Sequence, residues 1–189
     1  MSSFNKWFCF FNELEGLFNC FNDKTYAIIK GDSLSLYAYS NVGKRIYSDI
    51  DVLVPREELS QFECDLSNYY FRCLETSRAD RVLMMTSSHQ VAPWRLNIIP
   101  WWNVIIDLNF DIYWGEYTGK RISIKEFLAD TVDIEMYGVK VKTLPLLKTM
   151  VQVVLHHYKE MNSIYHLVRH KCIDINKFKD IYYLLKNNI

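Results

Sequence analysis

The sequence predicts an α+β fold, in which a mixed β-sheet with flanking helices is followed by a small helical tail. Up to Leu144, short apolar runs rich in β-branched and aromatic residues alternate with helical patterns. Beyond Pro145 only helical spacing is found. We therefore expect a core domain over residues 1–144, which includes an N-terminal helix, and a C-terminal helical tail over residues 145–189.

The composition is that of a globular chain with a sizeable core. Of the 189 residues, 50% are hydrophobic and 15% are aromatic, which excludes a disordered regulator. Lys and Arg number 22, as do Asp and Glu, so the formal net charge is zero. This balance argues against a polybasic nucleic-acid binder, because such proteins must neutralise many phosphates. We expect no nucleic-acid partner.

Cysteine usage and hydropathy give an expectation about location. The five cysteines are widely spaced and form no CxxC motif, which argues against a disulfide framework or a zinc knuckle. The Phe-rich stretch from Phe4 to Phe21 is interrupted by Lys6, Glu13 and Glu15, so it does not resemble a signal peptide. No run reaches the ~18 apolar residues that a membrane span needs. We expect a cytoplasmic protein without a membrane partner.

The first half of the core is predicted to alternate helices with buried strands. Aromatic residues at steps of three and four give the first helix, and Pro55 closes the second strand just before a helix. The predicted elements are helix Phe4–Phe21, strand Tyr26–Ile29, helix Ser33–Tyr39, strand Asp49–Val54 and helix Arg56–Leu66.

The middle of the chain is predicted to be rich in strands, because β-branched and aromatic residues alternate there. The predicted strands are Tyr69–Leu74, Arg81–Thr86, Trp94–Ile99 and Val104–Tyr113, with a hairpin over Val132–Val141 that turns at Tyr137-Gly138. Ser123 and Glu126 have the spacing of a capping box, so a short helix should begin there. Helical steps over Leu146–His157 and Asp174–Leu185 give the tail.

Two aspartates on the second strand are candidate metal ligands. Asp49 and Asp51 are two residues apart, so their side chains should point to the same face of the sheet. Adjacent carboxylates repel each other, and Mg²⁺, which prefers hard carboxylate oxygens, would remove that conflict. Asp107, Asn109 and Asp111 repeat the alternation on the longest later strand, and a third carboxylate would complete a two-metal site. The alternative is that these acids lie on exposed faces of edge strands.

The residues before this pair favour a metal and phosphate site. An apolar strand ends at Lys30-Gly31-Asp32-Ser33. A glycine turn lets backbone amides approach a triphosphate, and a nearby hydroxyl can donate to it. Arg45 lies between the turn and the acids, where its guanidinium could contact phosphate or clamp the acidic strand.

This pattern resembles the nucleotidyltransferase superfamily of the DNA polymerase β type. The closest resemblance is to a bacterial family of uncharacterised nucleotidyltransferases that combine a Lys-Gly turn with an Arg-x-x-x-Asp-x-Asp strand. The matching segments are Ile28–Gly31, Arg45–Pro55, Val104–Asn109, Gly138–Leu144 and the helices after Pro145. The resemblance implies a core like the polymerase β palm.

The resemblance also implies an activity. An NMP group would move from an NTP, expected to be ATP, to a hydroxyl of a small molecule, peptide or protein, with release of pyrophosphate. Asp49, Asp51 and Asp107 would hold two Mg²⁺ ions, and Asp107 would help to deprotonate the attacking hydroxyl. Asp111 shares a face with Asp107 and is the second candidate for the third carboxylate.

The implied nucleotide-binding residues are Lys30, Gly31, Ser33 and Arg45. Gly31 and Ser33 would support the β- and γ-phosphates. Lys30 and Arg45 could equally be salt-bridge partners that hold the turn.

A second hypothesis from another class stays open. The superfamily usually has Gly or Ser after the turn glycine, whereas this chain has Asp32, and the chain is short for its family. Both features favour a catalytically reduced relative that binds nucleotide or a partner protein, for example in a toxin–antitoxin setting. The aromatic N-terminal helix could serve as a homodimer face, or it could equally close the core.

The histidines of the tail do not form a metal motif. His166 and His170 have the spacing of helical zinc ligands, but no HExxH sequence accompanies them. Together with His156 and His157 they are interpreted as helix-surface or core residues.

Overall fold

The computed structural model describes residues 14–39, 49–74, 77–99, 102–112, 121–136, 138–162 and 175–188. Within these ranges, seven strands form one mixed sheet. The strands are β1 (Ala27–Ile29), β2 (Ile50–Leu53), β3 (Arg72–Cys73), β4 (Trp94–Ile99), β5 (Trp102–Asn109), β6 (Val132–Met136) and β7 (Val139–Thr143).

The strand order in the sheet is β3-β4-β5-β2-β1-β7-β6, which places β2 at the centre. β2 runs parallel to β5, and β1 runs parallel to β7. The other neighbouring pairs are antiparallel. The α+β fold class is thereby confirmed.

Helices precede, separate and follow the strands of this sheet along the chain. They are α1 (14–21), α2 (Gly31–Tyr39), α3 (Leu59–Asn68), α4 (Arg78–Ser87), α5 (Ile124–Phe127), α6 (Leu146–Asn162) and α7 (Ile175–Asn188), and a 3-10 turn, Arg56–Glu58, precedes α3. No helix in the described ranges is both long and apolar enough to span a bilayer.

The two faces of the sheet carry different clusters of side chains. Ile28 and Val52 belong to the larger cluster, which contains most of the aromatic core. Ile29 and Leu53, one residue further along each strand, belong to a smaller cluster against which Leu155 of α6 packs. Alternate residues of a strand face opposite sides, so α6 covers the face to which Leu53 points.

Several element predictions are confirmed with shifted ends. β1, β2 and β4 occur as expected, and α2 begins at Gly31, two residues before the predicted start. Ser123 caps α5 by accepting a hydrogen bond from the Glu126 amide. The described part of the N-terminal helix is helical, whereas residues 4–13 lie outside the described ranges.

Two strand predictions in the middle of the chain need correction. Arg81–Thr86 was expected to be a strand, but it belongs to α4. Ser77 caps this helix, because its hydroxyl accepts a hydrogen bond from the Asp80 amide at 3.1 Å. The amides of the first helical turn have no partner within the helix, and the cap satisfies one of them. The strand predicted at Tyr69–Leu74 shrinks to β3, because Tyr69 and Tyr70 complete the turn that ends α3.

Candidate active site

The turn after β1 brings Lys30 and Gly31 to the start of α2. Both residues have positive φ angles, 60° for Lys30 and 43° for Gly31, a left-handed conformation that costs a residue with a side chain more than glycine. The Ser33 hydroxyl donates a hydrogen bond to the Lys30 carbonyl at 2.7 Å, and the Leu34 amide donates to the same oxygen. Ser33, predicted to bind phosphate, thus secures the turn in this structure.

Two aspartates from distant parts of the sequence lie side by side in the sheet. Asp51 on β2 and Asp107 on β5 are register partners in the parallel pair. Because neighbouring strands are about 4.8 Å apart and partners face the same side, the two carboxyl groups lie on one face. Both are buried, with 6% of Asp51 and 8% of Asp107 exposed. Asp49 lies directly before β2 and is half-buried.

The proximity of the three acids affects the ionisation of Asp107. Burial, followed by the negative charges of Asp51 and Asp49, raises the pKa of Asp107 from 3.8 to about 7, against the opposing effect of Lys30. The Oδ1 atom of Asp107 is buried and has no hydrogen-bond partner among the described residues. A buried acceptor of this kind is costly unless a donor or a cation binds it.

Asp51 is held by two neighbours. The Lys30 ammonium lies 2.8 Å from Asp51 Oδ1, and the Asn109 amide donates to the same oxygen at 3.2 Å. Asn109 also donates to the Asp107 backbone carbonyl on its own strand at 3.0 Å, and its bond to Asp51 joins β5 to β2 on the acidic face. Lys30 therefore acts as a salt-bridge partner of the acidic strand, one of the two roles expected for it.

Asp111 has a different environment from Asp107. It follows the end of β5, and Arg121 donates to its Oδ2 at 2.7 Å. Asp107, and not Asp111, is the register partner of Asp51. This position favours Asp107 over Asp111 as the third carboxylate. Arg45 lies outside the described residues.

The carboxylates of Asp49, Asp51 and Asp107 are ligands of a kind that suits a divalent cation, although in this structure they do not surround a single point. Within the described residues, no three His, Cys, Asp or Glu side chains are close enough to hold one metal ion. Carboxylate oxygens are the preferred ligands of Mg²⁺, and the unpartnered Oδ1 of Asp107 lies beside two further carboxylates. Asp51 and Asp107 are register partners, so their side chains start from adjacent positions on one face of the sheet.

A segment that the sequence did not single out borders the acids. The backbone of Gln90 forms a bridge with Asn109, and the Val91 amide donates to the Leu108 carbonyl at 3.1 Å. The Gln90 side chain is hydrogen-bonded to Asp107, which opposes the rise in the Asp107 pKa. Residues 89–91 thus extend along the end of β5.

α6 adds a cluster of basic side chains that the sequence also did not assign. Lys159 Nζ lies 2.7 and 2.8 Å from the two ring nitrogens of His89. The rings of His89 and His156 are 6.2 Å apart, and His156 Nε2 lies 3.3 Å from Glu160 Oε1. The only sequence signal was the His156-His157 pair, which was interpreted as surface or core.

Burial shifts the ionisation of this cluster toward neutral forms. It lowers the pKa of His89 to about 2 and that of His156 to about 3. The pKa of Lys159 is lowered to about 7, first by burial and then by the charge of Lys30.

The parallel pairing of β2 with β5, with Asp51 and Asp107 in register beside the Lys30-Gly31 turn, agrees with the nucleotidyltransferase fold that the sequence resemblance implies. The chain belongs to the family described as uncharacterised nucleotidyltransferase, whose model matches residues 5–188. A search of curated proteins finds no match for the sequence.

Solved structures support the fold. The crystal structure of ANT(2″)-Ia in complex with adenylyl-2″-tobramycin is 10% identical, covers 93% of this chain and 87% of that chain, and has a TM-score of 0.53. An antigenic nucleotidyltransferase-like protein from Paracoccidioides brasiliensis is 14% identical, covers 93% and 75% of the two chains, and has a TM-score of 0.54. The family and the fold together support a nucleotidyl transfer activity.

Proposed function

We propose that this protein is a Mg²⁺-dependent nucleotidyltransferase that transfers an NMP group from an NTP, with ATP as the expected donor, to a hydroxyl group and releases pyrophosphate. The observation that carries the proposal is the buried, unpartnered Oδ1 of Asp107 in register with Asp51. A carboxylate oxygen that lacks a partner, beside a second carboxylate, is stabilised by a cation.

Asp49, Asp51 and Asp107 are the residues that would hold two Mg²⁺ ions. Such ions neutralise the triphosphate, lower the pKa of the attacking hydroxyl and stabilise the leaving pyrophosphate. Asp107 would accept the hydroxyl proton at its carboxylate.

The turn after β1 would hold the phosphates. Lys30 lies at the acids and could exchange its bond to Asp51 for a phosphate oxygen once metal balances that carboxylate. Gly31 has no side chain to hinder the approach of a phosphate to its backbone, and Ser33 would either donate to phosphate or keep the turn in place. Arg45 is proposed as a further phosphate contact.

The acceptor is proposed to be a hydroxyl of a small molecule, peptide or protein. The structurally similar ANT(2″)-Ia has been crystallised with adenylyl-2″-tobramycin. Hydroxyls of aminoglycosides are therefore sensible first acceptors to test, followed by peptide serine, threonine and tyrosine.

Pyrophosphate release tests the proposal. The protein would be incubated with each of the four NTPs, with Mg²⁺ or EDTA, and with the acceptor panel, while thermal shift reports nucleotide binding. Mg²⁺-dependent stabilisation by an NTP together with acceptor-dependent release supports the proposal. If no NTP stabilises the protein in Mg²⁺ and Asp51→Asn changes nothing, the enzyme proposal is wrong.

A second candidate is a catalytically reduced protein that binds nucleotide or a partner protein. The Lys30–Asp51 ion pair favours it, because it gives one acid a partner without any metal. NTP binding without pyrophosphate release for any acceptor would support this alternative.

A further inference from the structure

α6 is positioned to contribute to the face of the sheet that carries the acids. Leu155 of α6 packs against the cluster that contains Leu53. Asp51 is two residues before Leu53 on β2 and therefore points to the same side. Lys159 follows Leu155 by four residues, so the two side chains share a face of α6. The helix thus carries Lys159 toward the acids.

His89 holds Lys159 in this position. The His89 carbonyl accepts hydrogen bonds from the amides of Phe110 at 2.8 Å and Asp111 at 3.2 Å, which fixes this residue at the end of β5. Its ring nitrogens lie 2.7 and 2.8 Å from Lys159 Nζ. Lys159 is therefore tethered to the strand that bears Asp107.

The charges around Lys159 indicate what it could bind. Burial keeps His89 largely neutral, and the carboxylates of Glu160, Asp51 and Asp111 attract the Lys159 ammonium. Lys30 is close enough for the two ammonium groups to repel each other. Two lysines kept near each other favour a ligand with several negative charges, whereas a neutral hydroxyl acceptor needs no second cation.

We propose that Lys159, positioned by His89, binds the terminal phosphates of the nucleoside triphosphate and so distinguishes triphosphate from monophosphate ligands. This inference rests on the proposed function, because it deepens the description of the same site. An ammonium group is a compact charge that suits phosphate oxygens, and Lys159 would approach them from α6, opposite the acids on the sheet.

Calorimetric titration with Mg²⁺-ATP and Mg²⁺-AMP tests the role of Lys159. Lys159→Met should weaken ATP binding about 10- to 100-fold, the usual effect of a lost charged hydrogen bond, and change AMP binding less than about 2-fold. Lys159→Arg should retain part of the affinity for ATP. The matched control is Lys179→Met, which removes an exposed lysine of α7 and should bind both ligands as the wild type does.

His89 is tested as a positioning residue by two variants. His89→Leu removes the hydrogen-bonding ring and should weaken ATP binding about 10-fold without a matching loss for AMP. His89→Asn keeps an acceptor for the Lys159 ammonium and should restore part of that loss. Circular dichroism and thermal melts show that each variant is folded before it is titrated.

The outcomes separate this inference from the transfer activity. Loss of ATP affinity in Lys159→Met with AMP affinity kept supports the inference, even if the wild type releases no pyrophosphate with any acceptor. Unchanged ATP binding in a folded Lys159→Met protein overturns it while transfer by the wild type still stands. Equal losses for ATP and AMP, or no NTP binding by the wild type, also overturn it.

Discussion

The pattern acid-Ile-acid occurs twice in this molecule, in two different environments. Asp49-Ile50-Asp51 leads into β2 at the centre of the sheet, and all four residues of β2 are buried. Asp133-Ile134-Glu135 lies on β6 at the sheet edge, where both acids are exposed. The spacing is identical, and the position of the strand in the sheet differs.

The neighbours of each pair differ as well. On β6, the register partners of Asp133 and Glu135 are Lys142 and Lys140, and Lys140 also lies 2.8 Å from Asp133. On β2, the register partner of Asp51 is another acid, Asp107. The charges of the edge acids are thus balanced by lysines and exposed to water, whereas Asp51 and Asp107 place two negative charges next to each other in a buried part of the sheet. Spacing identifies a shared face, and sheet position decides whether that face can bind a cation.

The largest expected difference between the two pairs is in activity. Asp51→Asn should reduce NTP-dependent pyrophosphate release roughly 10³-fold, because it removes a charge that stabilises the metal-bound transition state. Asp133→Asn should stay within about 2-fold of the wild type, since its carboxylate is exposed and far from the site in the strand order. Initial rates with one NTP and one acceptor measure both. A comparable loss in the two variants would refute the distinction.

The central acids should also make the metal-free protein less stable. Asp107→Asn is expected to raise the free energy of unfolding by about 1–3 kcal/mol at pH 8 in EDTA, because a buried charge beside Asp51 is removed. Glu135→Gln at the edge should change it by less than about 0.5 kcal/mol. Urea denaturation gives both values. A destabilised but folded Asp107→Asn protein would argue against repulsion among the acids.

The same carboxyl group should give a pH dependence. Its folded pKa is about 7 against an ordinary value of 3.8, so the folded state holds a proton that the unfolded state has released between these pH values. The contribution of the Asp107 carboxyl to the free energy of unfolding is greatest below about pH 4. It falls as the pH rises to about 7 and is constant above that.

The pH dependence that is due to Asp107 is isolated by subtracting the unfolding free energy of Asp107→Asn from that of the wild type. His89 and His156 act in the opposite direction, because their lowered pKa values make stability rise with pH up to about 6.5. The wild type and Asp107→Asn both contain these histidines, so the histidine contribution cancels in the difference. Measurements in EDTA from pH 4 to 8 should show the difference becoming more unfavourable to the wild type, and a flat difference would contradict the raised pKa.

The smallest expected effect is at the edge pair itself. Asp133→Asn removes the ion pair with Lys140, whose ammonium is largely exposed, and such surface pairs contribute about 0–1 kcal/mol. We expect the free energy of unfolding to fall by an amount near the lower end of that range. The loss should be smaller still in 1 M salt, where charges are strongly screened. A salt-independent loss would show that packing is responsible.

The sequence predicted the central features of the fold because they have local signals. Apolar runs marked β1 and β2, and the alternation from Asp107 to Asp111 marked the strand that carries the third acid. Arg81–Thr86 was mistaken for a strand, because its helix is specified by the Ser77 cap, which lies before the segment considered. Local patterns fail where the deciding residue lies outside the window.

The basic part of the candidate site could not be predicted from local patterns. Lys159 and His89 are brought together by the packing of α6 on the sheet and by the bridge between Gln90 and Asn109, neither of which has a sequence signature. The choice of Asp107 over Asp111 likewise depends on strand register, and register was not visible in the alternation alone. Side chains that meet only through tertiary packing need the structure.

The parallel pairing of β1 with β7 has a consequence for folding kinetics. The Thr143 hydroxyl donates to the Ile28 carbonyl at 2.8 Å across 115 residues of sequence, directly before the Lys30-Gly31 turn. Closing such loops costs chain entropy before the contacts repay it, so proteins rich in distant pairings fold slowly. The β1–β7 pair and the Asp51–Asp107 pair both join distant parts of the chain and should therefore form late in folding, so a chain that has not yet paired these strands lacks the acidic pair.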